Sequence, residues 1–62
     1  MQLTLRAARI NAGYTQQQVH DLTGFARSTL TRWENGAAMP TIGDLIILCN
    51  LYEVSVDQIK WQ

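Results

Sequence analysis

The stretch Gln16-Gln17-Gln18-Val19-His20-Asp21-Leu22-Thr23-Gly24-Phe25-Ala26-Arg27-Ser28-Thr29-Leu30-Thr31-Arg32-Trp33 reads as two short helices meeting at a tight turn. Thr15 and Gln18 have the spacing of a capping box, in which hydroxyl and amide each satisfy an orphan backbone N–H. Gly24 supplies the left-handed conformation that commonly closes a helix. Val19, Leu22 and Thr23 on the first helix, with Leu30 and Trp33 on the second, fall at helical spacing. Val19, Leu30 and Trp33 lock the pair together, and Phe25 is expected to drop into the core between them.

The same punctuation extends outward. Thr41 to Asp44 and Ser55 to Gln58 repeat the capping spacing, Gly13 and Gly36 mark further stops, and Pro40 breaks the chain ahead of the Thr41 helix. The signals predict five helices near 4–12, 16–23, 27–35, 42–52 and 56–60. Leu5, Ala8 and Ala12 give the first a small-residue face. Ile42, Leu45, Cys49 and Tyr52 form the expected core stripe of the fourth. No stretch alternates at period two, so no sheet is expected. The fold class is a compact all-α five-helix bundle, a single domain over 1–62.

Composition agrees. Sixty-two residues, 47% hydrophobic and 16% charged, suit one small globular core. The longest apolar run, Leu45 to Cys49, falls far short of the roughly 20 residues a membrane span needs. The opening residues carry polar and charged groups where a signal peptide has an apolar centre. The lone Cys49 offers neither a disulfide nor a metal quartet. A cytoplasmic protein with no membrane partner is expected.

The net charge is zero, but it is unevenly spread. Residues 1–33 set Arg6, Arg9, Arg27 and Arg32 against Asp21, four against one, a balance of +3. Residues 34–62 set Lys60 against Glu34, Asp44, Glu53 and Asp57, a balance of −3. Such asymmetry supports an anionic partner for the first half. If Leu30 and Trp33 face inward, Arg27, Ser28, Thr29, Thr31 and Arg32 lie on or near the outer face of the third helix. A helix fits the DNA major groove, where Arg bonds guanine bidentately and hydroxyls reach several base edges. In a helix-turn-helix the first residues of the second helix point at those edges.

Arg9, Gly13-Tyr14-Thr15-Gln16, Gly24, Ser28-Thr29-Leu30, Trp33-Glu34-Asn35-Gly36, Pro40 and Val54-Ser55-Val56-Asp57 stand together at spacings that resemble the phage repressor and Cro-like (Xre) helix-turn-helix family. The resemblance covers about residues 3–59. It implies a five-helix, lambda-repressor-like DNA-binding domain that regulates transcription, usually as a dimer on a two-fold operator. It also implies roles residue by residue. Gln16 bonds a phosphate and braces the recognition helix, Arg27, Ser28 and Arg32 read bases, and Asn35 contacts the DNA backbone. Arg9 and Glu34 form a structural ion pair. Arg6, one turn before Arg9, either reaches a phosphate or rests on a solvated face.

Three residues depart from the family pattern. His20 stands where alanine is usual at a close helix crossing, as a partly exposed side chain or at an opened crossing. Ala26 replaces the usual serine cap of the recognition helix. Ile47 occupies a position where lysine is common. Ile47 and Leu51, with Ile59 and Trp61, form surplus apolar surface: the tail covers it, or it is a homodimer contact. The competing function is a protein-interaction module of the same fold, an antirepressor binding a partner repressor. One His, one Cys and five scattered acids make no catalytic or metal-binding set, and no cofactor or small-molecule ligand is implied.

Overall fold

Threonine hydroxyls open three of the four α-helices. In the computed structural model, which describes residues 2–60, Thr4 accepts from the Ala7 N–H at 3.1 Å and begins α1 (Leu5–Asn11). At α2 (Gln16–Thr23) the capping box is complete: Gln18 N–H donates to the Thr15 hydroxyl at 3.1 Å, and Thr15 N–H donates to Gln18 Oε1 at 2.8 Å. Thr41 accepts from Asp44 N–H at 3.2 Å and starts α4 (Ile42–Tyr52). Only α3 (Arg27–Glu34) begins without a side-chain cap, because Ala26 has no oxygen to offer. Gly24 closes α2 at φ 82°, a conformation that costs an L side chain about 1–2 kcal/mol. Glu53 ends α4 in the same region at φ 58°.

The core gathers Leu5 and Ala8 from α1, Val19 from α2, Leu30 and Trp33 from α3, and Leu45, Leu48, Cys49 and Tyr52 from α4, with Ile59 closing it. Ala8 brings α1 close to its neighbours, and α1 packs on both α3 and α4 while α2 packs on α3. Phe25 is half-buried against this cluster, with its ring edge-to-face on Trp33 at 5.1 Å between centroids.

Polar bonds add direction to the apolar contacts. Arg9 Nε donates to Glu34 Oε2 at 2.8 Å and its second amino group to Oε1 at 3.2 Å. A third Arg9 nitrogen donates to the Tyr14 carbonyl at 2.9 Å, fixing the joint between α1 and α2. The carboxylate's hydrogen bond and charge raise the Arg9 pKa against the opposing effect of burial. Tyr52 lies nearby in the core, where burial pushes its phenol from 10.0 up to about 12, aided by the negative Glu34 and opposed by Arg9.

Several expectations are corrected. The described residues form four α-helices, and the expected fifth helix is a single 3₁₀ turn, Val56–Gln58. The Ser55–Gln58 capping box starts that turn, but Ile59 is extended and leaves it to lie beside Leu3. Leu3 N–H donates to the Gln58 carbonyl and Lys60 N–H to the Leu3 carbonyl, both at 2.7 Å, making one isolated parallel bridge where no β pairing was expected. Leu22 is 61% and Ile42 65% exposed, and Ala12 caps α1 in solvent. Each lies outside the arc its helix buries, and Leu48 supplies core contact that the expected α4 stripe omitted.

Two outcomes follow. Glu34→Ala strands the Arg9 charge and costs about 3 kcal/mol in urea unfolding, the low end for a buried pair because both side chains keep some contact with water. That is a large share of the roughly 3–9 kcal/mol expected for a chain this size. In alkali, the raised Tyr52 pKa means that the folded state holds its proton longer than the unfolded one. Its contribution is full below pH 10 and is lost as pH climbs through about 12. Tyr52→Phe therefore flattens the fall in melting temperature over that range.

Candidate nucleic-acid interface

The turn between α2 and α3 is clasped by side chains from α2. His20 Nδ1 donates to the Phe25 carbonyl at 2.8 Å. Thr23 Oγ1 donates to the Val19 carbonyl at 2.7 Å while accepting from Phe25 N–H at 3.2 Å. His20 thus turns its half-buried ring onto the turn. These bonds hold the entry to α3 although Ala26, extended at φ −62°, ψ 142°, adds no cap.

Once Leu30 and Trp33 are buried, the rest of α3 follows. At about 100° per residue, Arg27, Ser28, Thr31 and Arg32 occupy one contiguous outward arc, and all four are exposed. Asn35, the C-terminal cap of α3, is exposed just beyond it. Thr29 sits half-buried at the edge of the inward stripe. Eight residues make a rod of about 12 Å, comparable to the width of the major groove.

Two glutamines link this arc to α2. Gln16, half-buried, donates through Nε2 to Glu34 Oε1 at 3.2 Å and accepts from the Thr31 hydroxyl at 3.2 Å. Both ends of its amide therefore engage α3, and the second Nε2 hydrogen has no acceptor among the described residues. Gln17, which sequence reasoning did not single out, accepts from an Arg27 terminal nitrogen at 3.2 Å and donates to Asp21 Oδ1 at 3.0 Å. The four-residue spacing of Gln17 and Asp21 was a legible signal, since such helical pairs face each other. Arg6 is exposed on α1, and no hydrogen bond or ion pair engages it among the described residues.

The apolar surface differs from expectation. Ile59 is 7% exposed and part of the core, because its strand-like pairing with Leu3 turns it inward, so it is removed from any contact surface. Leu51 is half-buried against the core, and Ile47 is 47% exposed. Trp61 lies outside the described residues. Ile42 and Ile46 are exposed on the other edge of the α4 buried stripe, and Met39 is exposed ahead of the helix.

This geometry, two helices locked through a glycine turn with a polar and cationic outer face, defines a helix-turn-helix domain. A helix-turn-helix family model matches residues 5–59, and the chain belongs to that family, in its Xre and Cro-like form. The family is one of DNA-binding transcription regulators and is not typically enzymatic. No curated protein matches the chain. No helix of the described residues is long and apolar enough to cross a membrane.

The bare start of α3 gives a direct expectation. Ala26→Ser places a hydroxyl on a backbone already extended as a cap requires, and thermal unfolding should register a gain of about 1 kcal/mol.

Proposed function

We propose that the chain is a sequence-specific binder of double-stranded DNA that represses transcription by occupying an operator. The observation that carries this reading is the contiguous exposed arc of Arg27, Ser28, Thr31 and Arg32, opposite the buried Leu30 and Trp33. Arg27 and Arg32 read bases through guanidinium groups, and Ser28 and Thr31 through hydroxyls, with Thr29 at the margin. Asn35 and Arg6 contact the DNA backbone. Gln16 braces Thr31 and meets a phosphate where its helix begins.

One short helix reaches few base pairs, so the reading includes a homodimer on two half-sites of a palindromic operator, about one helical turn apart. The exposed Ile47 edge of α4 is the proposed contact. A phage or other mobile element is the proposed origin, and the cytoplasm the proposed site of action. The exposed isoleucines also favour a second reading, in which α4 docks on a partner repressor. Salt separates the two, because counterion release weakens DNA binding steeply while an apolar contact persists.

Arg6, Arg27 and Arg32 from each of two copies bring about six cations to the duplex, so the log–log salt slope is no steeper than about −5. Selection from a random duplex pool should return a palindrome. Against the selected site, Arg27→Ala or Arg32→Ala should cost about 1–3 kcal/mol and relax preference at one base pair. A folded chain indifferent to duplex DNA at low salt overturns the proposal.

A further inference from the structure

The bonds from Arg27 through Gln17 to Asp21 have no part in the fold's core, since all three residues are exposed. Resting on the DNA-binding reading, we infer that Gln17 and Asp21 are positioning residues that aim the Arg27 guanidinium and so set base preference at its position in the half-site.

The argument begins with the asymmetry of an amide. Gln17 has one end that only accepts and one that only donates. Asp21, an ionised carboxylate, accepts only, and at 3.0 Å it takes the Nε2 end. That choice leaves Oε1 for Arg27, at 3.2 Å from a terminal guanidinium nitrogen. A flipped amide would set donor against donor at Arg27 and acceptor against acceptor at Asp21. The carboxylate therefore fixes the amide, and the amide fixes the arginine.

The geometry of the bond matters as much as its presence. It uses the first terminal nitrogen of Arg27, and the edge formed by Nε and the second terminal nitrogen has no hydrogen bond among the described residues. A guanidinium is a planar fork of five donors, and one edge suffices for bidentate pairing with guanine O6 and N7. A direct Arg27–Asp21 ion pair would compete for that edge with a full charge. An interposed neutral amide holds the side chain on one terminal nitrogen and leaves the other edge to a base. Holding a long side chain in one orientation also lowers the entropy lost on binding.

The test measures discrimination, defined as affinity for the selected duplex divided by affinity for one with the Arg27-read base pair changed. Arg27→Ala identifies that base pair. Gln17→Met keeps length and helix preference but removes both hydrogen bonds, and discrimination should fall roughly three- to thirtyfold, inside the range for coupled contacting residues. Asp21→Ala should lower discrimination while strengthening binding to both duplexes, because a negative charge leaves the interface. Asp21→Asn retains an acceptor for Gln17 and should recover most of the lost discrimination. Thermal melting of each variant excludes a folding defect as the cause.

Unchanged discrimination in Gln17→Met, with Arg27→Ala still losing it, overturns the positioning role and leaves the DNA-binding reading intact. Equal weakening on both duplexes by Gln17→Met also overturns it and makes Gln17 a backbone contact. If Arg27→Ala retains full discrimination, the assignment of Arg27 as a base reader fails first, and the inference fails with it.

Discussion

The Glu34 carboxylate is the point at which three helices are joined by charge. It closes α3, takes two bonds from Arg9 on α1 and a third from Gln16 at the start of α2. Apolar contacts among Ala8, Val19, Leu30 and Trp33 bring these helices together, but dispersion and hydrophobic burial are non-directional and tolerate rotation about a helix axis. A forked guanidinium on a forked carboxylate does not. Taking that pair out of water has a desolvation cost that an apolar replacement would avoid, so fixed geometry is the gain that distinguishes it. Its result is a finer fix on the rotation of α3, whose outward face the burial of Leu30 and Trp33 has already chosen.

The two ends of α3 are restrained by different means. At its C-terminal end Glu34 ties it to α1 and α2. At its N-terminal end, where Ala26 provides no cap, His20 and Thr23 grip the Phe25 carbonyl and N–H. Those bonds hold the turn rather than the first orphan amides of α3, so they replace the positional effect of a cap without its bonds. The unsatisfied amides point along the helix axis, where positive potential accumulates. An uncapped start therefore costs stability that a hydroxyl at position 26 would restore.

Much of this was legible in the sequence because it is local. Thr15 with Gln18, Thr41, and the glycine at 24 declare helix ends through chemistry within a few residues. The outer face of α3 was legible by inversion, since placing Leu30 and Trp33 inside leaves Arg27, Ser28, Thr31 and Arg32 outside. What failed was non-local. Ser55 and Gln58 start a turn whichever path follows, and only the pairing of Ile59 with Leu3 ends it after three residues. Leu22 and Ile42 sit at helical spacing, yet their helices bury narrower arcs than periodicity allows. The engagements of Gln16 with Glu34 and Thr31 and of Gln17 with Arg27 were equally hidden, because they cross between helices. The bond from Gln17 to Asp21, four residues along one helix, was not.

On the proposed DNA-binding reading, a chain with five cations, five acids and a directional polar face is suited to discrimination more than to grip. Sequence-independent affinity for DNA grows with each phosphate neutralised, and here few cations are available for it, since Arg9 is consumed by Glu34. Base contacts depend instead on aim, and each well-placed bidentate pair is worth about 1–3 kcal/mol against the wrong base. Lowering the first contribution while preserving the second raises the ratio of specific to non-specific binding, the quantity that matters among many competing sites. On the proposed reading, the same logic accounts for an acidic residue, Asp21, so close to the outward arginines. Its charge would weaken attraction to every sequence alike, while its hydrogen bond to Gln17 holds the amide that bonds Arg27.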